Sequence, residues 1–329
     1  MLYVYAIEPD VLITWDKCRI TLNLMGFRHG RAIAVYPSLK DWKKMIFQAC
    51  NRNPSCGERE FERIYEKIQE SEDKLVSTRG RARYDGSITP PEECWIRNAT
   101  AHQGGAGRFH AILSTRNPTS HHDVVLEEDI DESHVRFDVR REQQVLRQPK
   151  ELVTHIETLV LNSRELLLID PHLDLSQHRW RPVIEACLNL AARPLGHARA
   201  AEIHTLETDR KWNADEFRKH CALHLPAMIS GELSSIRVCR WRMREGEPHD
   251  FHARYVLTDR GGYRLDKGLD EERGVEQSVG LLDDQEWSRI REGYGDANPF
   301  FEKGDAFTLD KSGTLRAELP RDESRKRAQ

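Results

Sequence analysis

The first half of the chain alternates between short apolar runs and longer amphipathic segments. Residues 2–8 and 31–37 have the apolar content and the alternation of strands. Pro9 suits the first turn of a helix, and Ser38 suits the N-cap of a second one. The predicted helices cover residues 9–24, 38–50 and 58–72. This mixture predicts an α+β domain.

The second half shows a more regular alternation of helix and strand. Residues 165–170 form a short, fully apolar run, which is typical of a strand buried on both faces. The predicted helices cover residues 150–164, 179–192, a segment capped by Asn213, and 283–295. The predicted strands cover residues 165–170, 199–207, 234–241, 253–259, 262–268 and 275–282. Such alternation predicts an α/β domain with a mostly parallel sheet flanked by helices.

We place the domain boundary in the polar segment 142–149. The predicted organisation is a smaller α+β domain over residues 1–145, an α/β domain over 146–311, and a polar tail over 312–329. The tail ends in a short basic cluster that follows Pro320. Charge runs of this kind usually serve as solvated surface.

Composition and charge restrict the classes of function. No apolar run approaches the roughly 18 residues that a membrane-spanning helix needs. The first ten residues do not resemble a secretory signal, and seven unevenly spaced cysteines indicate free thiols in a reducing cytoplasm. Residues 1–148 carry 22 basic and 22 acidic side chains, and the remainder carries 28 and 32. Neither half is a basic domain, so any phosphate binding must come from a local site.

Two segments of the first half invite a phosphate-binding interpretation. Arg79, Arg81 and Arg83 alternate along the chain, which would place three guanidinium groups on one face of a strand. They could contact a phosphate backbone, or they could protect a solvated edge strand. The glycine-rich residues 104–107 lack the strand–loop–helix frame of a phosphate loop, and we interpret them as a turn.

In the second half, the candidate catalytic and phosphate-binding residues lie at the ends of two predicted strands. Asp170 and His172 directly follow the apolar strand 165–170. His252 and Arg254 stand two residues apart and would project from the same face of a strand. An imidazole can attack phosphorus, and a guanidinium group can hold two phosphate oxygens. We therefore expect these four residues to converge on one cleft.

The segment His252-Ala253-Arg254, followed by Asp259, resembles the phospholipase D superfamily motif HxK(x)4D. Together with the Asp170-Pro171-His172 turn and Gly268-Leu269-Asp270, it is similar to the phospholipase D-like C-terminal domain of eukaryotic MIT-domain proteins. The resemblance covers residues about 150–311. It implies that His252 is the nucleophile, Arg254 the phosphate clamp and Asp259 a carboxylate supporting the histidine.

The sequence departs from the family pattern in ways that leave alternatives open. Arginine replaces the usual lysine, and only one motif is visible. His172, where a first motif is expected, would be either the second catalytic group or a helix cap. Asp170 would either contact substrate or orient its turn, and Lys267 would either reach phosphate or remain solvated. His252 itself could be a structural histidine. His249 and His252 lack a third spaced ligand, so no metal and no cofactor is predicted.

Two functional hypotheses follow. The first is a metal-independent phosphodiesterase with a nuclease as the expected activity, which family-level analogy places in a prokaryotic defence or DNA-processing assembly. The second is a catalytically silent module that binds a phosphorylated ligand or a protein partner. The expected partners are nucleic acid or another phosphodiester, other proteins of a multi-subunit assembly, and a second copy in a homodimer. Catalysis would need a proton donor, supplied by His172 of the same chain or by the His252 of a second copy.

Overall fold

The computed structural model divides the chain into two compact units, Met1–Arg141 and Glu142–Gln329. It describes residues 2–78, 83–101, 103, 108–193, 199–207, 213–244, 252–295 and 301–318. Across these residues, no helix has the length and apolar character required to cross a bilayer. Arg79, Arg81, the glycine-rich residues 104–107 and His249 lie outside the described residues.

The first unit is built on a five-stranded sheet in which all neighbouring strands run parallel. The strands are β1 (Tyr3–Ile7), β2 (Arg31–Val35), β3 (Leu75–Ser77), β4 (Ala111–Ser114) and β5 (Val124–Leu126), in the order β3-β2-β1-β4-β5. The prediction of an α+β arrangement is therefore wrong for this unit. Helical crossovers between the first strands impose a parallel α/β arrangement instead.

Four α-helices accompany this sheet: α1 (Trp15–Leu24), α2 (Leu39–Arg52), α3 (Glu58–Glu70) and α4 (Cys94–Thr100). The Ser38 hydroxyl accepts a hydrogen bond from the Asp41 amide at 3.1 Å and caps α2, as its position predicts. Helix α2 buries Trp42 and Ile46 against the sheet residues Tyr5 and Ile33. The helix predicted from Pro9 is interrupted, because a short 3₁₀ turn precedes α1. Strand β3 ends at Ser77, so Arg83 does not belong to a strand.

The second unit is built on a nine-stranded mixed sheet. Its strands are β6 (Glu142–Leu146), β7 (Glu165–Ile169), β8 (Arg199–Leu206), β9 (Leu233–Met243), β10 (Arg254–Thr258), β11 (Gly262–Leu265), β12 (Glu276–Leu281), β13 (Phe301–Asp310) and β14 (Leu315–Ala317). The order is β14-β13-β9-β8-β7-β10-β11-β12-β6. Among the described strands of this unit, only β7–β8 and β8–β9 pair in parallel, so the expected mostly parallel sheet is corrected to a mixed one. A turn of three residues joins β10 to β11, and a connection this short requires antiparallel neighbours. Strands β11 and β12 also pair antiparallel.

Helices lie on both faces of this sheet: α5 (Pro149–Leu161), α6 (Arg181–Ala191), α7 (Ala214–His224) and α8 (Asp284–Gly293). Helix α6 packs against α5, β7 and β8. Ile290 of α8 joins a separate core cluster with Leu167 and Ile169 of β7. Because side chains alternate along a strand, Leu166 and Leu168 face the other way, and both are buried. Strand β7 is thus covered on both faces, as its apolar sequence indicates.

Main-chain pairing moves both ends of the second unit away from the predicted boundaries at 145/146 and 311/312. Strand β6 begins at Glu142 and pairs with β12, so the second unit begins four residues earlier than predicted. Strand β14 pairs with β13, so residues 315–317 are part of the sheet. Its hydrogen bonds override a polar sequence that suggested a tail.

Glu318, the residue that follows β14, connects the end of this strand to β9 and β13. Its carboxylate accepts hydrogen bonds from Arg237 Nε at 2.7 Å and Lys303 Nζ at 2.7 Å. The hydrogen bonds from Arg237, and then those from Lys303, lower the pKa of Glu318 from 4.5 to about 2. The folded state therefore holds the ionised carboxylate more strongly than the unfolded chain does.

We predict that Glu318→Gln lowers the free energy of unfolding by about 1 kcal/mol at pH 7, a value discounted for partial solvent screening. The difference in the free energy of unfolding between wild type and Glu318→Gln should have its full size above the unfolded-state pKa of 4.5. It should become smaller as the pH falls toward about 2. Urea denaturation at pH 7 and at acid pH measures it. Glu302→Gln, an exposed neighbour on β13, is the control. An equal loss at both pH values would contradict the role given to Glu318.

Candidate phosphate site

The candidate site forms where β7 ends and β10 begins. These strands are antiparallel, and Tyr255 of β10 pairs with Ile169 of β7. Arg254 therefore comes level with Asp170, the first residue after β7. The same register brings the turn that carries His172 alongside the segment that carries His252. Two motifs about 80 residues apart in the sequence thus meet at one edge of the sheet.

The two histidines are neighbours. Their ring centroids lie 6.4 Å apart, and the ring planes are inclined by 28°. Both side chains are exposed. The structure therefore brings together in one chain the two imidazoles that the sequence places in one cleft. A single bound group of small size can contact both rings.

The buried residue Asp170 holds the backbone of the turn that carries His172. Its side chain is fully buried. One carboxylate oxygen accepts a hydrogen bond from the His172 amide at 2.8 Å, and the other accepts one from the Leu269 amide at 3.0 Å. Burial raises the pKa of Asp170 to about 6, against the opposing effects of the two amide hydrogen bonds and the Arg254 charge. Asp170 therefore orients its turn, which was one of the two roles its position suggested.

The segment Gly268-Leu269-Asp270 completes the frame around Asp170. A Cβ atom on Gly268 would lie 2.9 Å from Asp270 Oδ1 and 3.1 Å from Asp170 Oδ2, so the two carboxylates need glycine here. Asp270 is buried and forms an ion pair with Arg147. Sequence reasoning missed Arg147, because its partner is 123 residues away and no local pattern signals the contact.

Two basic residues were predicted to bind substrate. Arg254 is half-buried, and its Nη1 donates a hydrogen bond to the Asp266 carbonyl at 3.2 Å. Its Nε is buried and has no hydrogen-bond partner among the described residues. Lys267 is exposed and donates a hydrogen bond to the Glu276 carbonyl at 2.7 Å. Arg254 therefore lies level with Asp170 at the site, whereas the Lys267 ammonium group is hydrogen-bonded to a backbone carbonyl of β12.

The structure corrects the role expected of Asp259. This residue follows β10 (Arg254–Thr258) at the strand end opposite to His252, about 17 Å beyond Arg254 at 3.4 Å per residue. Its carboxylate accepts hydrogen bonds from the amides of Arg164 at 2.8 Å and Glu165 at 3.3 Å. Asp259 therefore fastens the start of β7 and does not support the histidine. The motif spacing is compatible with a strand, but a strand separates its two ends.

A row of polar residues crosses the sheet from the half-buried Arg254 to the buried Asp170, Thr205 and Arg240. Ile169 pairs with His204, so Asp170 comes level with Thr205, which in turn pairs with Arg240. Asp170, Thr205 and Arg240 therefore lie side by side near the ends of β7, β8 and β9. Arg240 is almost fully buried, and its guanidinium group lies 4.8 Å from the centroid of the Phe217 ring. Sequence reasoning missed it, although an arginine at an apolar-face position of β9 was a visible signal.

Within the described part of the chain, two clusters have the residue types of a metal site. Glu202, His204 and Cys239 offer ligand atoms within 4.8 Å of one another. However, Trp241 donates its indole N–H to His204 Nδ1 at 3.0 Å, which leaves the ring proton on Nε2, 3.2 Å from Glu202 Oε2. A protonated nitrogen cannot ligate a metal.

The second cluster consists of His121, His122 and Asp123. The carboxylate of Asp123 already accepts hydrogen bonds from Arg136 at 2.7 Å and Gln103 at 3.0 Å. A guanidinium group beside the carboxylate opposes a second cation. We assign a metal to neither cluster.

Comparisons with known proteins do not assign a function to this chain, so a functional proposal has to be argued from the geometry of the site. No family model matches the chain, and no curated protein matches it. Among solved structures, the chain aligns with TrmBL2, an archaeal chromatin protein whose structure shows a novel mode of DNA binding. The alignment has 13% sequence identity and a TM-score of 0.25, and it covers 47% of this chain and 51% of that one. The likeness is thus partial and spans about half the length of TrmBL2.

We predict that Gly268→Ala destabilises the protein by about 1–3 kcal/mol, because the new methyl group must displace two buried carboxylates. Gly280→Ala is the matched control, since a Cβ there would meet no atom closer than 3.9 Å. Its effect should stay within about 0.5 kcal/mol. Chemical denaturation measures both variants. Equal stability of the two variants would contradict the close approach described for Gly268.

The raised pKa of Asp170 predicts that the stability of the protein depends on pH. Its pKa of about 6 in the folded protein exceeds the usual 3.8, so between these values the folded state retains a proton that the unfolded chain releases. The free energy of unfolding should therefore fall as the pH rises through this interval, by up to about 3 kcal/mol relative to Asp170→Asn. Urea denaturation of both proteins at pH 4 and pH 7 measures the difference. A difference that does not change with pH would contradict the raised pKa.

Proposed function

We propose that the second unit is a phospholipase D-like unit that binds a phosphodiester at His172, His252 and Arg254 and hydrolyses it without a metal ion. The observation that carries the proposal is the separation of 6.4 Å between the two imidazole rings of one chain. At this separation one phosphoryl group can lie within hydrogen-bond reach of both rings. Arg254 supplies the positive charge beside it.

The reaction has two steps that need only side chains and one water molecule. In the first, a ring nitrogen of His252 attacks phosphorus, a phosphohistidine forms, and the bond to the leaving oxygen breaks. His172 donates a proton to that oxygen. In the second, water attacks the phosphohistidine, His172 accepts the proton of the water, and the His252–phosphorus bond breaks. Arg254 neutralises charge on the phosphate oxygens in both steps.

The buried frame supports this assignment of roles. Asp170 holds the His172 amide, so it acts as a positioning residue and does not contact the reacting atoms. Because one chain supplies both imidazoles, the proton donor does not have to come from a second copy. We assign nucleic acid as the substrate class and a prokaryotic defence or DNA-processing assembly as the setting, both by analogy with the family resemblance.

A second candidate function is binding without turnover. It is favoured by the arginine that replaces the motif lysine and by the hydrogen bond that Arg254 makes to Asp266 within the protein. In that case the site would hold a phosphorylated ligand or a protein partner. The two functions differ in what His252 contributes, because binding depends on the charge of Arg254 whereas turnover depends on a nucleophile.

The decisive experiment measures turnover of a labelled single-stranded DNA and of bis-p-nitrophenyl phosphate, with EDTA present throughout. We expect His252→Ala to reduce turnover of both substrates by at least about 1,000-fold, because it removes the nucleophile. His172→Ala should reduce turnover of DNA strongly but that of the nitrophenyl diester much less. Nitrophenolate leaves without a proton, so the acid matters less for it.

Matched controls come from the same region. His178→Ala removes an exposed histidine six residues beyond His172, and Arg264→Ala removes an exposed arginine of the neighbouring strand β11. Both should retain wild-type turnover. Turnover that persists in His252→Ala contradicts the nucleophile assignment, and turnover that requires Mg²⁺ contradicts the mechanism. If wild-type protein shows no turnover but DNA affinity falls by about 1.5–3 kcal/mol in Arg254→Ala, the protein is a binding module.

A further inference from the structure

The first unit contains a cleft that the proposed phosphate chemistry does not use. Its volume is about 570 Å³, within the range of small-molecule binding sites. Tyr36 directly follows β2 and Thr78 directly follows β3, and both line it. The cleft therefore opens at the carboxyl ends of two parallel strands, which is where ligands bind in open α/β sheets.

The charges of this cleft favour an anion. Lys44 of α2 and Arg83 both line it, and both are exposed. No ion pair or hydrogen bond of either side chain occurs within the part of the chain that the structure describes. The acidic group at the rim, Asp41, accepts a hydrogen bond from the Ser38 hydroxyl at 2.6 Å. Two cations against one carboxylate leave a net positive charge in the cleft.

An aromatic ring stands beside these cations. Tyr84 is half-buried and lines the cleft. Its ring packs edge-to-face against Tyr36, with centroids 5.9 Å apart, and its hydroxyl donates a hydrogen bond to Cys94 Sγ at 3.3 Å. The ring is therefore held in place from two sides. A fixed aromatic ring is a surface on which a planar heterocycle can stack.

We propose that this cleft binds a nucleoside phosphate, with its phosphate groups on Lys44 and Arg83 and its base against Tyr84. A free phosphate would occupy a small part of the 570 Å³, so the volume favours a ligand that carries a base and a sugar as well. Gln48 and Thr78, which also line the cleft, supply neutral hydrogen-bonding groups for the sugar and the base. All the lining residues of this cleft belong to the first unit, whereas His172 and His252 belong to the second.

Isothermal titration calorimetry of the full-length protein tests the proposal with ADP, adenosine and pyrophosphate as probes. We expect ADP to bind, and adenosine and pyrophosphate each to bind at least tenfold more weakly, because each lacks one half of the ligand. Lys44→Ala and Arg83→Ala should each weaken ADP binding at least fivefold. Gln48→Trp should abolish it, since an indole placed at an exposed helix position fills the cleft and leaves both cations intact.

Lys43→Ala is the matched control. Lys43 is the preceding residue of the same helix, but it pairs with Glu72 and does not line this cleft. It should change ADP affinity less than twofold. The proposal is overturned if ADP gives no binding heat up to about 5 mM. It is also overturned if pyrophosphate binds as well as ADP, or if binding is lost in Arg254→Ala while Lys44→Ala and Arg83→Ala retain it. That last result would place the ligand in the second unit.

Discussion

One buried carboxylate determines the geometry of the histidine site. Asp170 joins the turn after β7 to the loop after β11, because its two oxygens accept hydrogen bonds from the amides of His172 and Leu269. A carboxyl group removed from water in this way needs such partners to offset its desolvation. The same requirement explains why glycine stands at position 268 and why Arg147 reaches the neighbouring carboxylate of Asp270. The two imidazoles are exposed, yet the backbone that carries His172 is held from within.

The mixed sheet extends this frame outward. Antiparallel pairing of β10 with β7 brings the motif around His252 to the edge where β7, β8 and β9 end. Parallel pairing of β7, β8 and β9 then aligns Thr205 and Arg240 behind it. Cationic groups are therefore concentrated at one edge of a unit whose overall charge is negative. A local arrangement of this kind is what the proposed phosphate binding requires, because the charges of the chain as a whole are nearly balanced.

The two proposed sites lie at the same kind of position in their sheets. In each, polar groups stand just beyond the carboxyl ends of parallel strands, where backbone ends and side chains leave space. The second unit places exposed imidazoles there, which suits reaction or recognition at a single phosphate. The first unit places two cations and a tyrosine ring around a larger cleft, which suits a ligand with a base. Chemistry thus differs between the units because the side chains at the edge differ.

The sequence by itself determined the local features of this protein. The apolar run of β7, the Ser38 cap and most helices follow from short-range patterns, because burial and capping depend on neighbouring residues. The same patterns predicted that His172, His252 and Arg254 converge, and the rings of the two histidines lie 6.4 Å apart in the structure. Only the tertiary structure decided the parallel sheet of the first unit, the mixed sheet of the second, and the place of Asp259. Strand direction and the meeting of Arg147 with Asp270 depend on contacts between distant segments, and no local pattern encodes those contacts.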